Sequence, residues 1–220
     1  MKVEISYVPP EEIITVPVEE ATYPFELNGE VQYIVYFSCW DGDYHHDELF
    51  CNWMDSPDYY PIYSLAEIYD FQQEEYEELF KRQDIEFEYM KGSRKGTFFV
   101  KAIIRRPQQF KEYYPYLYGN GGMLNLSLWS IKEDLFRVEE REYEPPYPEL
   151  RTKKDRTGLV KGKRLANAPI MDLTNSSILF WVGHDGDFIT AFSKDEHFST
   201  IDSLQKIIPE KFELITDEYE

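Results

Sequence analysis

The stretch SSILFWVGHDGDFITAFS (residues 176–193) decides the fold class of this 220-residue chain. Two runs rich in β-branched and aromatic residues flank His-Asp-Gly-Asp, and both runs have the length of a strand. Asp-Gly between two such runs is a strong short-range signal for a β-hairpin, because glycine adopts the positive φ that a type I′ turn needs. The stretch therefore predicts a pair of antiparallel strands.

A second segment, YIVYFSCWDGDYHHDELF (residues 33–50), follows the same pattern. Its apolar run leads through Trp40, the counterpart of His184, into Asp-Gly-Asp and then an aromatic residue. The same backbone argument predicts a second hairpin here. The matched positions are too few to decide between an old duplication and coincidence.

This region also holds both cysteines, Cys39 and Cys51, and the adjacent His45 and His46. Zinc sites usually pair their ligands at C-x₂₋₄-C or H-x₃₋₅-H spacing, and neither spacing occurs here. Adjacent residues of a strand point to opposite faces, so the two histidines would not readily share one ion. A calcium loop starting at Asp41 would need glycine where His46 stands. We predict a hairpin without a metal, and a site formed by the two cysteines and one histidine stays open as the alternative.

Other segments add strands and two helices. Alternating runs predict strands in KVEISYV (2–8), VQYIVYF (31–37) and KFELI (211–215), and a hairpin in DIEFEYMKGSRKGTFFVKAIIRR (84–106). A short C-terminal helix is predicted in TIDSLQKII (200–208). We therefore expect an α+β fold with mostly antiparallel sheet, β-hairpins and few helices.

One long amphipathic helix is predicted over residues 64–82. Ser64 followed three positions later by Glu67 has the spacing of a capping box. An apolar stripe near the helical period follows, formed by Leu65, Ile68, Phe71, Tyr76, Leu79 and Phe80. Lys81 and Arg82 at the end favour the helix dipole.

Three further segments have less definite patterns. Residues 123–143 fit either a helix capped by Ser130 and Glu133 or two paired strands. The glycine-rich YGNGGM (118–123) precedes a strand-like run, not a helix, so it predicts a plain turn instead of a phosphate loop. DSPDYYPIYS (55–64) and FKEYYPYLYGN (110–120) are interpreted as tyrosine-rich loops, which either supply rigid contact surface or cover the edge of the core.

The domain organisation is predicted from composition. Three prolines at 145, 146 and 148 precede a run with seven basic residues and one acid (151–164), which is typical of an exposed loop or linker. We predict an acidic α+β domain over residues 1–150 and a hairpin-helix-strand unit over 165–220. The two parts could also form one domain with a continuous sheet.

The net charge of −19 is concentrated in the first 90 residues, which contain 22 Asp and Glu against three Lys and Arg. A field of this sign repels nucleic acid and anionic membranes and attracts basic surfaces. The alternative is that the charge serves solubility. No signal peptide or long apolar run is present and cysteine is scarce, so we expect a cytoplasmic protein without a membrane segment.

We therefore predict a binding protein that docks on a basic protein partner, such as an immunity or inhibitor protein that neutralises a toxin or nuclease. The predicted contact residues are Asp41, Asp43, Asp47, Glu48, Asp55, Asp58, Tyr59, Tyr60, Glu74, Glu75 and Glu78. No nucleophile elbow, metalloprotease pair or C-x-x-C occurs, which disfavours an enzyme and gives no cofactor. The alternative is a small-molecule or carbohydrate-binding protein or hydrolase whose site, near the two Asp-Gly-Asp turns, would combine Asp41, Asp43, His184 and Asp187.

Overall fold

Twelve strands and four α-helices are formed by the residues that the computed structural model describes, which are 1–10, 25–38, 46–143, 164–174, 178–183 and 186–216. The strands are β1 (Lys2–Val8), β2 (Glu26–Asn28), β3 (Tyr33–Ser38), β4 (Ile62–Tyr69), β5 (Glu86–Lys91), β6 (Thr97–Ile104), β7 (Ser127–Ile131), β8 (Phe136–Tyr143), β9 (Arg164–Asp172), β10 (Ile178–Val182), β11 (Phe188–Ser193) and β12 (Glu213–Thr216). The helices are α1 (His46–Trp53), α2 (Gln73–Gln83), α3 (Pro107–Gly122) and α4 (Ile201–Gln205).

Nine of these strands form one sheet in the order β12-β1-β3-β11-β10-β7-β4-β6-β5. Every neighbouring pair is antiparallel except β1 and β12, which are parallel. A second sheet has the order β2-β9-β8. The predicted α+β class with mostly antiparallel sheet is confirmed.

The large sheet is the middle of three layers. Successive residues of a strand point to opposite faces, and both faces are apolar here. In β4, for example, Ala66 packs in the cluster that includes α1, α2 and α3, whereas Leu65 packs in the cluster with β2, β8 and β9. The helices therefore cover one face of the large sheet and the small sheet covers the other.

The clearest hairpin signals of the sequence are confirmed. β10 pairs with β11, and β5 pairs with β6, both antiparallel. Gly186 has the positive φ of 75° expected of the Asp-Gly turn. The turn is longer than a two-residue type I′ turn, because Gly183 N–H donates to the carbonyl of Phe188 and five residues separate β10 from β11. The predicted strands near both chain ends and the short helix α4 also form.

The predicted helix over residues 64–82 is correct only in its second half. Residues Ile62–Tyr69 form strand β4, a 3₁₀ turn follows at Asp70–Gln72, and α2 begins at Gln73. Ser64 is buried inside the sheet, so it caps no helix. The local helix signal is overridden because β4 lies between β6 and β7 and pairs with both along most of its length.

The predicted hairpin around the first Asp-Gly-Asp is wrong in its second strand. Residues 39–45 lie outside the described residues, but the chain after them forms α1. Leu49, Phe50 and Trp53 are buried on one face of this helix. Buried residues one and four positions after Leu49 are typical of a helix that packs on a sheet. The alternating residues of β3 that precede this segment do not indicate such a helix.

The tyrosine-rich segment at 110–120 and the glycine-rich YGNGGM are not a loop and a turn but most of α3. Pro107 occupies the first turn, where its missing N–H is tolerated. Phe110, Tyr113, Tyr114 and Leu117 then follow the helical period and are buried. Residues 123–143 contain two strands, β7 and β8, but these belong to different sheets and do not pair with each other.

Strands from both sides of residue 150 pair in the large sheet, since β10 lies next to β7 and β11 next to β3. Most of the basic segment at 151–164 lies outside the described residues, and Arg164 begins β9. The separate hairpin-helix-strand unit over residues 165–220 stays a prediction.

Candidate functional site

The two segments that carry Asp-Gly-Asp meet at one end of the large sheet. Ser38, the last residue of β3, pairs with Phe188, the first residue of β11. The chain therefore leaves β3 directly beside the turn that contains Gly186 and Asp187. Asp41, Asp43 and His184 lie outside the described residues, and the side chain of Asp187 is exposed.

The first segment returns to the same place at His46, the first residue of α1. The His46 ring stacks on Tyr118 with 3.5 Å between ring centroids, and its Nδ1 lies 3.2 Å from the Tyr114 hydroxyl. The Tyr118 hydroxyl in turn donates to the carbonyl of Gly186 at 2.9 Å. The three aromatic side chains thus connect α1, α3 and the β10–β11 turn, and we call them the His46 cluster.

Glycines in α3 and in the turn make this approach possible. A Cβ on Gly121 would lie 2.3 Å from Val182 Cγ1, and a Cβ on Gly186 would lie 3.3 Å from the Tyr118 hydroxyl. A side chain on Gly121 would push the helix end away from β10, and at Gly186 the positive φ of 75° favours glycine. Gly121 of YGNGGM therefore serves close packing, which the sequence pattern alone did not indicate, whereas a Cβ on Gly119 would meet nothing within 4 Å.

The predicted carboxylates on and after α1 are partly neutralised. Glu48 forms an ion pair with Lys211, and Asp55 pairs with Lys111 at 2.7 Å. Asp47 is exposed and accepts a hydrogen bond from the backbone N–H of Glu48, and Asp58 is also exposed. Two of the four carry a lysine partner, so this part of the surface is less negative than the sequence suggests.

Tyr59 and Tyr60, the predicted aromatic contacts, are half-buried and pack against the helix-side core. The Tyr60 hydroxyl donates to the carbonyl of Met54 at 2.7 Å, and burial raises the pKa of Tyr60 above its ordinary value. Both tyrosines therefore cover an edge of the core with part of each ring still accessible.

The predicted carboxylates on α2 have a different environment. Glu74, Glu75 and Glu78 are exposed, and none of them forms an ion pair within the described parts of the chain. We call these three the α2 carboxylates. Their neighbour Glu77 pairs with Lys81 at 2.9 Å, and this contact lowers the pKa of Glu77.

The predicted contact residues fall into two groups, because α3 packs against both α1 and α2. Phe50 of α1 contacts Tyr114, and Tyr76 of α2 contacts Tyr113. The set around α1 and the set on α2 therefore lie on the same helical layer but on either side of α3.

Sequence reasoning missed an exposed apolar surface at the start of α2. The sequence pattern places Phe71 in the apolar stripe of a helix, but it lies in the 3₁₀ turn and 75% of its surface is exposed. Its ring stacks on Tyr69 at 5.3 Å, and the Arg94 guanidinium lies 5.8 Å from the Tyr69 ring centre. Arg94 also donates to Asn125, which follows the exposed Leu124.

A buried polar network supports this surface from below. Glu67 Oε1 accepts hydrogen bonds from the Ser93 backbone, the Ser93 hydroxyl and the Thr97 hydroxyl, all at 2.6 to 2.7 Å. Asn120 donates to the carbonyls of Glu67 and Leu126. Glu67 was predicted as a helix cap, and instead it anchors the β5–β6 turn that carries Arg94.

The metal alternative is only partly accessible, since Cys39 and His45 lie outside the described residues. Where the structure describes the chain, no three His, Cys, Asp or Glu side chains are grouped as metal ligands. Burial, followed by the negative charge of Asp47, raises the pKa of Cys51 to about 12, which keeps its thiol protonated.

Among the described helices, none is long and apolar enough to cross a membrane.

Comparison with known proteins gives no relative: no protein-family model, curated protein sequence or solved structure matches this chain.

Proposed function

We propose that this protein binds a basic protein partner in the cytoplasm through the helical layer, with α2 at the centre of the contact. The observation that carries the proposal is the exposure of the α2 carboxylates, Glu74, Glu75 and Glu78, without an ion pair among the described residues. An immunity or inhibitor protein that neutralises a basic toxin or nuclease is the function that fits such a surface.

Electrostatics supports this choice of partner. Residues 46–84, which include α1 and α2, contain 11 Asp and Glu against two Lys and Arg, a difference of nine negative charges. Complementary potentials raise association rates and discriminate against partners of the wrong charge. Carboxylates already paired within the protein, such as Asp55 with Lys111, contribute less to such a field.

The experiment is capture of partners from the source cell, followed by reconstitution with the purified candidate. Captured proteins are eluted with salt rising to roughly 0.5 M, because screening removes contacts between exposed charges. A candidate counts only if the purified protein is basic and binds with an affinity that falls as salt rises.

Matched variants then test the placement on α2. The triple variant E74Q/E75Q/E78Q removes three charges from α2, whereas E140Q/E210Q/E213Q removes three exposed charges from other elements. We expect the α2 variant to lower the association rate roughly tenfold more than the control does. The association rate of the α2 variant should also depend less on salt concentration than that of the control. Equal effects of the two variants would contradict a contact centred on α2.

The His46 cluster favours a second candidate function, a small-molecule or carbohydrate site at the end of the sheet. His46 and Tyr118, both partly exposed, lie beside the Gly186 turn and offer stacking and hydrogen-bonding groups, with the buried Tyr114 hydroxyl 3.2 Å from His46 Nδ1. Ligand-observed NMR with a panel of monosaccharides and disaccharides tests it. Binding that Tyr118→Leu abolishes would support this function, and no signal from any sugar would speak against a carbohydrate site.

A further inference from the structure

Exposed apolar side chains are concentrated at one place among the described residues. Five large apolar residues are exposed in the described parts of the chain: Met1, Tyr7, Phe71, Met123 and Leu124. A chain of contacts connects the last three, because Phe71 stacks on Tyr69, Arg94 contacts both Tyr69 and Asn125, and Asn125 directly follows Leu124. We call Tyr69, Phe71, Arg94, Met123 and Leu124 the Phe71 patch.

Leu124 has a backbone conformation that is unusual for an apolar residue. Leu124 has a φ of 64°, a conformation that L-residues with large side chains rarely adopt. Glycine or asparagine would suit this backbone better, and 56% of the leucine surface is exposed. Neither core packing nor backbone preference accounts for leucine at this position.

Charge defines which molecule fits. Asp70 precedes Phe71, and Glu74 and Glu75 follow it on the first turn of α2, all three exposed. Arg94 contacts Tyr69, Asn125 and, at 3.9 Å, the Glu67 carboxylate, and both Arg94 and Lys95 are exposed on the neighbouring turn. The patch therefore combines exposed apolar side chains with the Arg94 guanidinium, and its border on the α2 side is acidic.

We propose that the Phe71 patch is the anchor of the partner contact and that it receives an apolar side chain flanked by lysine or arginine on a basic protein. The inference rests on the proposed function and specifies its partner. Interfaces commonly combine a few aromatic anchors, which carry most of the binding energy, with a charged border that steers the approach.

The probes are two short synthetic peptides with the same number of lysines, one with leucine and phenylalanine between them and one with serine in those places. Binding is measured by fluorescence anisotropy at low salt. We expect the apolar peptide to bind the unchanged protein roughly tenfold more tightly than the serine peptide. Phe71→Ser and Leu124→Gly should remove that difference and leave the serine peptide unaffected.

Two variants serve as controls. Tyr7→Ser replaces an exposed aromatic residue on β1, away from the patch, and should keep the tenfold preference. E74Q/E75Q/E78Q should weaken the binding of both peptides to a similar degree. Leu124→Gly suits the local backbone, so a loss of binding in this variant does not come from unfolding.

The outcomes separate the inference from the proposed function. If the charge variant weakens both peptides but Phe71→Ser changes neither, the anchor is wrong and the acidic contact stands. If the charge variant changes neither peptide, the acidic contact on α2 is wrong. If sedimentation equilibrium shows a dimer that Phe71→Ser dissociates, the patch receives a second copy of this chain and the inference is overturned.

Discussion

Gly121 and Val182 are in such close contact that a Cβ on the glycine would lie 2.3 Å from Val182 Cγ1. Gly121 lies near the end of α3, and Val182 is the last residue of β10. This contact seats α3 on the sheet and brings Tyr118 within hydrogen-bonding distance of the Gly186 carbonyl. The glycine is therefore required by packing.

Replacing Gly121 by alanine should lower the free energy of unfolding by about 1–3 kcal/mol, because the added methyl overpacks the interface with β10. Gly119→Ala is the matched control, since a Cβ there meets nothing within 4 Å. Alanine at that position should raise stability by up to about 1 kcal/mol through helix propensity. Urea unfolding of both variants checks this, and similar values for the two would contradict the packing argument.

Asp84 ends α2 in the left-handed region, with a φ of 54°. Its side chain is almost fully exposed, and its carboxylate is unfavourable at a helix C-terminus. Asp84→Gly should therefore stabilise the protein by about 1 kcal/mol. Asp84→Asn removes the charge and keeps a side chain, so it should give a smaller gain. Thermal unfolding measures both, and a loss of stability in the glycine variant would refute this account.

Glu67 should be important for stability through its three hydrogen-bond donors. Glu67→Ala leaves Ser93 and Thr97 donors without their acceptor in a largely buried place, and we expect a loss of about 2–4 kcal/mol. Glu67→Gln keeps an acceptor oxygen and should lose only about 1–2 kcal/mol. Denaturant unfolding checks the order of the two variants. Equal losses would mean that the carboxylate oxygens are not the important acceptors.

Stability should fall at alkaline pH. Burial raises the pKa of Tyr76 and of Tyr113 above the ordinary value, so the folded protein keeps phenol protons that the unfolded chain releases above about pH 10. The stability from these protons is complete below that pH and is lost as the pH rises beyond it.

Urea unfolding as a function of pH measures this loss, together with phenolate absorbance. Tyr113→Phe removes one of the two groups and should reduce the loss above about pH 10. It also removes the acceptor of the Ser64 hydroxyl, so the comparison uses the slope with pH and not the absolute stability. Complete phenol ionisation near pH 10 in a protein that stays folded would contradict the prediction.

The sequence predicted the fold class because its strongest signals are local. The alternating runs of β1 and β3, and the hairpins β5–β6 and β10–β11, all form, since a strand that buries one face repeats its apolar residues every second position. The second half of the predicted helix, residues 73–82, is also correct, because its apolar stripe continues into α2.

The errors occur where contacts distant in sequence override these signals. Residues 64–69 have a helical apolar spacing, but β6 and β7 on either side pair them as a strand. The tyrosines and glycines of 110–122 suggest a loop, yet burial of Tyr113 and Tyr114 against the sheet makes the segment a helix. Packing energy exceeds intrinsic propensity in both cases.

The candidate site divides in the same way. The sequence by itself determined that the chain is strongly acidic, that the acids precede residue 90, and that two Asp-Gly-Asp segments recur. Only the tertiary structure decided which carboxylates have a lysine partner, and that the exposed Phe71 and Leu124 are connected through Tyr69, Arg94 and Asn125. Charge is a property of composition, whereas ion pairing and exposure depend on which distant residues the fold brings into contact.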